Sequence, residues 1–516
     1  MRISFRFPVS GLATRLATGA CLVLLLAQAA WAAEAKYVFL FIGDGMSVSQ
    51  SSAAEMYKAA LKGEAKAGVE KLNFSTFPAQ GMTTTYSSES LITDSAAAGT
   101  AIASGVKTYN AGLGVDVNGK PVRTFAELAR DAGKKVGIVS SVSLDHATPA
   151  AFYAHQKSRK NYYEIGLELA ASDFDYFAGG GLLDPAGKKS KAEGEKVNVI
   201  DAIKKAGYAY INDKTGFEAL KAGAKAVVVN PRLQDEQAMP YAMDTTAKDI
   251  GLADLTAKGI EVLDNPKGFF MMVEAGKIDW ACHANDAMAA IGDVLAFEQA
   301  VAKAVDFAAK HPKDTLIVVT GDHETGGLTL GFSGTKYSTY FKNLQHQKVS
   351  YVAFNEEFDA WRQANPTASF DAIATLVETR FGLKTPSETE LADMAKAAAD
   401  AEYAKSIGSK YAMYLKDFEL ADLKAAFARS MAGEKIKAAG RDYLLYGSYE
   451  PFTVTLTHLL NQKAGLAWTS YSHTGVPVLT SATGAGAESF SGFYDNTDMF
   501  TKFVDALGLK ASVAMN

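Results

Sequence analysis

Cysteine is scarce in this sequence, which has two in 516 residues, Cys21 and Cys282. Cys21 lies in an N-terminal stretch that we expect to be removed, so that Cys282 would remain alone. A single thiol cannot form an internal disulfide, and the hydrophobic core must therefore supply the stability. With 48% hydrophobic residues, the chain is long enough to bury one large core or two ordinary ones.

The sequence also lacks an apolar run long enough for a membrane-spanning helix, which needs roughly 20 residues. Residues 1–32 instead combine three arginines, a short apolar run at residues 21–26 and a small-x-small cleavage site at Ala30-Trp31-Ala32. These are the features of a secretory signal. We predict that the signal is cleaved and that the mature protein is exported to the periplasm, or outside the cell, without a membrane anchor.

An excess of positive charge is missing as well, because the formal net charge is −5. Such a chain has no basic field with which to bind nucleic acid. An anionic substrate would therefore have to be bound by local cations, either metal ions or a specific arginine.

What the sequence does contain is a series of apolar runs with charged or imidazole side chains at their ends. Continuous apolar runs are typical of strands buried on both faces of a parallel sheet. They occupy residues 36–43, 136–142, 269–273, 315–320 and 476–480. Helical stretches, such as residues 124–132 and 255–263, lie between them. This alternation predicts an α/β fold with a doubly wound, mostly parallel sheet, helices on both faces and ligands at the carboxyl edge.

A helix of small residues is predicted from Ser95 to Gly105, where glycine can adopt the left-handed conformation that ends a helix. The Ser95 hydroxyl would lie at the helix N-terminus, where free N–H groups favour an anion. Two interpretations stay open on this segment alone. Ser95 is a nucleophile, or Asp94 and Ser95 simply cap the helix.

Residues 331–468 differ from the rest, because they are rich in alanine and charge and have helical periodicity at residues 387–404 and 420–432. We interpret them as a mainly helical insertion into one catalytic domain that spans residues 33–516. The insertion separates His323 from His473. It is predicted to form a lobe beside the site entrance or an arm at a dimer interface.

Several acidic and histidine residues have spacings that suit metal ions. Asp279 and His283 are four residues apart and would share one helix face. Asp322-His323 is a second pair, and Asp44 and Glu274 add carboxylates. Asp/His sets suit Zn²⁺, whereas carboxylate and hydroxyl oxygens suit Mg²⁺. Cys282 is a weaker candidate for a metal ligand than its neighbour His283. The remaining histidines are interpreted as structural: His155, His311, His346 and His458.

Taken together, these segments resemble the alkaline phosphatase family. Seven segments carry the resemblance in the family's order: residues 41–46, 93–100, 146–149, 158–159, 273–283, 320–327 and 472–475. The resemblance implies an exported homodimer that hydrolyses phosphate monoesters at alkaline pH, with two Zn²⁺ and one Mg²⁺ as cofactors. Two zinc ions roughly 4 Å apart can stabilise both the attacking and the leaving oxygen of an in-line displacement.

The resemblance also implies a role for each matching residue. Ser95 would become phosphoserine, and Arg159 would bind two phosphoryl oxygens with its guanidinium fork. Three sets of residues would bind the metal ions: Asp279, His283 and His473 for one zinc; Asp44, Asp322 and His323, completed by Ser95, for the other; Asp44, Thr148 and Glu274 for magnesium.

The chain departs from part of the family at His146 and Trp280, where some bacterial relatives carry Asp and Lys. Animal relatives have His at both positions. Trp280 supplies no cation, so we expect phosphate to be bound less tightly and released sooner. His146 brings a nitrogen to an otherwise all-oxygen site and would favour Zn²⁺ over Mg²⁺ there. The alternative is that the two rings only pack against each other.

Two other functions remain as alternatives: a phosphodiesterase of the same superfamily, or a non-catalytic exported protein that binds metal or phosphate. Superfamily diesterases commonly have threonine as the nucleophile. A sulfatase is excluded, because its nucleophile segment needs a Cys- or Ser-x-Pro-x-Arg pattern that Ser95-Ala-Ala-Ala-Gly lacks.

Overall fold

The computed structural model describes residues 34–63, 68–437 and 439–509. The predicted signal at residues 1–32, with Cys21, lies outside them. The strands are β1 (Tyr37–Gly43), β2 (Ala79–Thr84), β3 (Lys135–Ser140), β4 (Tyr176–Gly179), β5 (Ala209–Ile211), β6 (Ala226–Val229), β7 (Phe269–Ala275), β8 (Thr315–Gly321), β9 (Glu324–Thr325), β10 (His473–Thr474), β11 (Val478–Gly484) and β12 (Gly492–Asp495). The helices are α1 (Val48–Leu61), α2 (Ser95–Ser104), α3 (Phe125–Asp131), α4 (Ala147–Ala150), α5 (Tyr162–Ala171), α6 (Val199–Lys205), α7 (Lys214–Ala219), α8 (Leu252–Leu263), α9 (Lys277–His283), α10 (Ala287–Ala308), α11 (Tyr351–Ala364), α12 (Phe370–Phe381), α13 (Glu388–Ala399), α14 (Ala401–Ile407), α15 (Asp417–Met431), α16 (Gly440–Tyr446), α17 (Pro451–Ala464) and α18 (Asp498–Ala506).

Ten strands form one sheet in the order β12-β2-β11-β8-β1-β7-β3-β4-β6-β5. Neighbouring strands are parallel except where β11 pairs with β2 and β8. The predicted α/β class with a mostly parallel central sheet is therefore confirmed, and each of the five predicted strands is present.

The core lies on both faces of this sheet. Every residue of β1, β7 and β8 is buried. Along β1, Phe39 and Phe41 belong to one hydrophobic cluster, whereas Leu40 and Ile42 belong to the cluster on the opposite face. This two-sided burial explains the continuous apolar runs, because no position in such a strand faces water.

The strand register brings the chemistry to one edge. Ile42 of β1 lies opposite Glu274 of β7 and Thr320 of β8, so Asp44 and Asp322 emerge at the same level. Strand β11 runs the other way, and its first residues lie at this edge too. Residues that precede β11, rather than follow it, therefore reach the site.

The region predicted as an insertion lies between β9 and β10, which form a separate two-stranded antiparallel sheet, and it contains helices α11–α17. The helix predicted over residues 387–404 is two helices, α13 and α14. They divide at Asp400, because its carboxylate accepts hydrogen bonds from the backbone N–H groups of Glu402 and Tyr403 and starts a new helix. Among the described residues, no helix is both long and apolar enough to cross a membrane.

Candidate active site

Ser95 is the first residue of α2, and Gly105, with φ of 72°, ends that helix. The Asp94 carboxylate accepts a hydrogen bond from the Ala97 N–H at 3.0 Å and so performs the capping. The Ser95 hydroxyl is not used as a cap. Its Oγ lies 3.0 Å from His323 Nε2, in a buried position at the carboxyl edge of the sheet.

A first group of ligand-type side chains comprises Asp279 and His283 of α9 and His473 of β10. His283 Nε2 lies 3.3 Å from Asp279 Oδ2 and 3.1 Å from His473 Nε2. The Nδ1 atoms of His283 and His473 contact the backbone carbonyls of Tyr471 and Thr93, at 2.6 and 2.8 Å. Since carbonyls only accept, both Nδ1 atoms carry the proton, and both Nε2 lone pairs face the same space.

A second group comprises Asp44, Asp322 and His323, all fully buried. His323 Nε2 lies 3.3 Å from Asp44 Oδ1 and 3.4 Å from Asp322 Oδ2. The rings of His323 and His473 are stacked, with centroids 3.6 Å apart. One ligand-type atom each of His323, Asp279 and His473 lies within 4.8 Å of the other two, so the two groups adjoin.

A third group contains Asp44, Glu274 and His146, whose ligand atoms lie within 4.8 Å of one another. Thr148 Oγ1 donates to Asp44 Oδ2 at 3.3 Å. His146 also packs edge-on against Trp280, with ring centroids 5.6 Å apart. The two interpretations of His146 are therefore not exclusive, because the ring packs on Trp280 and still reaches the third group.

Arg159 is held between two partners at this edge. Its Nη1 donates to Asp94 Oδ2 and its Nη2 to His146 Nε2, each at 3.0 Å. Because arginine only donates, His146 Nε2 must be an acceptor and the imidazole neutral. Burial, with the charge of Arg159, lowers the pKa of His146 to about 3.

The electrostatics of these groups favour bound cations. Burial and neighbouring carboxylates raise the pKa of Asp44, and they raise that of Asp322 to about 8. Burial raises the pKa of Glu274 to about 7. Three buried carboxylate oxygens here have no hydrogen-bond partner among the described residues: Asp44 Oδ1, Asp322 Oδ2 and Glu274 Oε1. Carboxylate and imidazole ligands together suit zinc, and carboxylate and hydroxyl oxygens suit magnesium, so the residues present fit these cations.

The similarity to known proteins agrees with this geometry. A family model described as alkaline phosphatase matches residues 35–509. The chain belongs to the alkaline phosphatase family. It is thus a phosphomonoesterase. Its three ligand-type groups are in keeping with the metalloenzyme character of the family.

Individual relatives of the family match over most of the chain. Alkaline phosphatase 4 of Bacillus subtilis (strain 168) is 34% identical over 475 residues, which cover 90% of this chain and 87% of the relative. The cold-active alkaline phosphatase of a psychrophilic Shewanella species has a TM-score of 0.70 at 28% identity and covers 91% of this chain and 99% of its own. The Thermus thermophilus alkaline phosphatase, at 24% identity and a TM-score of 0.72, covers 93% of both chains and shares the fold.

Two further residues contact the ligand-type side chains, and the sequence motifs did not indicate either of them. Thr325 Oγ1 donates to Asp279 Oδ1 at 2.5 Å and lies 3.2 Å from His323 Nδ1. The Ser140 hydroxyl donates to Glu274 Oε2. Thr325 lies inside the segment at residues 320–327, so its closeness in sequence to Asp322 and His323 could have indicated a role beside the ligands. Cys282, the rival ligand, is buried in the hydrophobic core and belongs to none of the three groups among the described residues.

Proposed function

We propose that this chain hydrolyses phosphate monoesters to an alcohol and inorganic phosphate through a phosphoserine at Ser95, with an optimum at alkaline pH. One observation carries the proposal. Ser95 Oγ lies at the N-terminus of α2 and 3.0 Å from Nε2 of His323, which belongs to the second ligand-type group and adjoins Asp279 and His473 of the first. A hydroxyl in that position faces both the free N–H groups of the helix and the atoms suited to metal ions.

The proposed cofactors are two Zn²⁺ and one Mg²⁺. The ligands would be Asp279, His283 and His473 for the first zinc; Asp44, Asp322, His323 and Ser95 for the second; Asp44, Thr148 and Glu274 for magnesium. The approach of His146 to the last set supports Zn²⁺ as an alternative there. When bound, the cations would act as Lewis acids that favour the serine alkoxide and stabilise the departing oxygen.

The protein's own groups would bind and orient the phosphate. The first N–H groups of α2 face the phosphoryl oxygens, and the helix dipole favours their charge. Arg159 would exchange His146 for a phosphoryl oxygen while Asp94 keeps Nη1 in place. Attack of Ser95 Oγ on phosphorus forms the serine–phosphate bond and breaks the ester P–O bond; the serine proton passes to solvent, and the expelled alkoxide takes a proton from solvent to leave as the alcohol. Water then attacks phosphorus and breaks the serine–phosphate bond, so that its hydroxide goes to inorganic phosphate and its proton returns to Ser95 Oγ.

The experiment that tests the proposal is acid quenching of Ser95→Ala with labelled phosphate. The variant should keep its metals and fold but form no covalent phosphoenzyme. Ser104→Ala is the matched control, because Ser104 lies at the other end of the same helix and bonds only locally, to the Thr100 carbonyl and the Val106 N–H. Label that persists in Ser95→Ala on another residue would overturn the assignment, whereas residual hydrolysis would not.

The remaining expectations rest on the family and the sequence. We propose that the protein is exported after removal of residues 1–32 and functions as a homodimer without a membrane anchor or a nucleic-acid partner. We also propose that residues 331–468 form a lobe near the site or an arm at the dimer interface. The mass of the native protein in solution and the N-terminal sequence of the secreted form test these points.

A further inference from the structure

A three-residue turn at residues 284–286 follows the helix that carries Asp279 and His283, and it contacts the insertion. Helix α9, which carries Asp279 and His283, ends at His283, and α10 starts at Ala287. Within the turn, Asn285 adopts the left-handed conformation, with φ of 52°, and is buried. Side-chain hydrogen bonds hold the backbone of residues 284–286 in this conformation, and most of them come from the insertion.

Asn285 is bound on three sides. Its Nδ2 donates to the carbonyl of Cys282, at 2.8 Å, and to that of Ser470, at 3.0 Å. His458 Nε2, from α17, lies 3.0 Å from Asn285 Oδ1. Since the amide oxygen only accepts, His458 must donate from Nε2. Asn461 of the same helix donates from Nδ2 to the Asn285 carbonyl at 2.7 Å.

The next residue, Asp286, is also bound by the insertion. Its carboxylate accepts hydrogen bonds from Gln347 Nε2, at 2.8 and 2.9 Å, and from the Tyr351 N–H, at 2.9 Å. It also accepts from the Ala289 N–H at 3.0 Å and so caps α10. Asn285 and Asp286 are thus both hydrogen-bonded to the insertion as well as to the catalytic domain.

The same contacts reach His283 from its other side. Ser470, whose carbonyl binds Asn285, is followed by Tyr471, whose carbonyl accepts the Nδ1 proton of His283 at 2.6 Å. The His458 ring stacks on the Tyr471 ring, with centroids 6.0 Å apart. One asparagine and one histidine therefore link the end of α9 to the carbonyl that orients the His283 ring.

We propose that Asn285 and His458 are positioning residues for the first zinc, through which the insertion fixes the orientation of His283. The inference rests on the zinc ligands proposed above. Residues that orient a ligand typically change metal affinity about 10- to 100-fold when they are lost. The insertion thereby contributes to the metal site without supplying a ligand.

The test measures zinc release from the metal-loaded protein into an excess of chelating dye, without substrate. Asn285→Gly keeps the left-handed backbone but removes the amide, and His458→Phe keeps the ring stack but removes the donor. Each should accelerate one phase of zinc release about tenfold or more. His458→Gln, which can place an N–H donor near the position of Nε2, should restore most of the wild-type rate.

Thr453→Val is the matched control. Thr453 lies in α17 and donates to Asn355 Oδ1 within the insertion, so the variant loosens the insertion without touching the turn. Unchanged release in both Asn285→Gly and His458→Phe, or equal acceleration in Thr453→Val, would overturn the inference. If Asn285→Gly does not fold, the His458→Phe and His458→Gln pair decides. A wild-type protein that binds no zinc would instead overturn the proposed function and this inference with it.

Discussion

The carboxyl edge of the sheet and the helical insertion are built in opposite ways. At the edge, the strands β1, β7 and β8 are buried throughout, and Asp44, Glu274, Asp322 and His323 are fully buried beside them. In the insertion, helices α13 and α14 contain no buried residue, although Phe354 and Leu460 of other insertion helices belong to the same hydrophobic cluster as Phe39 of β1. The comparison indicates that the ligands emerge from strands buried on both faces, whereas the insertion packs on the core with one side and reaches the ligand-type residues through hydrogen bonds at the turn of residues 284–286.

Excision of residues 331–468 is the most severe way to break this comparison. With a short linker in their place, we expect kcat/KM to fall at least about 100-fold, because the excision removes His458, whose contacts with Asn285 and Tyr471 position the His283 ring. Zinc content, kcat and mass in solution should be measured together. An active, still dimeric product with normal zinc content would contradict both the lobe and the arm.

Arg159→Ala changes the edge alone and should leave the insertion and the metals unaffected. We expect kcat/KM for monoesters to fall about 100-fold, because the guanidinium is a charged donor to the phosphoryl group. Monoesters should lose more than matched diesters, which present one oxygen fewer. Arg159→Lys keeps the charge but not the fork and should recover only part of the activity. Similar losses for both ester classes, or a diester rate comparable to the monoester rate in wild type, would contradict this prediction.

Trp280→Lys tests the region between the sheet edge and the insertion. Trp280 lies on α9 between the proposed ligands Asp279 and His283, and its ring contacts His146. A lysine cation there should tighten inhibition by inorganic phosphate, by up to about tenfold, and lower kcat, since product release limits many such enzymes. The inhibition constant for phosphate is the measurement. Trp280→Phe is the control for packing. Unchanged phosphate inhibition in Trp280→Lys would show that the position serves packing only.

Much of the edge could be predicted from the sequence, and the reason is physical. Strands β1, β7 and β8 have no solvent-facing positions, so their apolar runs are continuous, and the polar residues that follow them stand out. Shorter strands such as β5 and β12 carry partly exposed residues and gave no such signal. The link between His458 and Asn285 was not predictable either. It joins two side chains 173 positions apart, and Asn285 is held for it by the backbone carbonyls of Cys282 and Ser470, which the sequence does not reveal.

Asp400→Ala should have the smallest effect, because it changes only the exposed helices of the insertion. It therefore tests whether these helices are independent of the sheet edge. Loss of the cap that starts α14 should cost about 1 kcal/mol of local stability. Hydrogen exchange in α14 should accelerate, while kcat/KM and zinc release stay at wild-type values. Asp400→Ser, which can still accept the backbone N–H groups, is the control. A change in zinc release would show that the outer helices, too, are coupled to the site.

The short pairing of β9 with β10 has a consequence for how such a chain can change over time. His473 lies opposite Thr325, so the two ends of the segment that contains the insertion are paired beside the ligand-type residues. The entropy of closing a loop rises only slowly with its length, by about 0.6 kcal/mol for each doubling. Once the ends are paired, a change in the length of the segment between them alters the entropy of closing the chain only slightly. The pairing thus makes this segment a place where descendants of one catalytic core could acquire different surroundings.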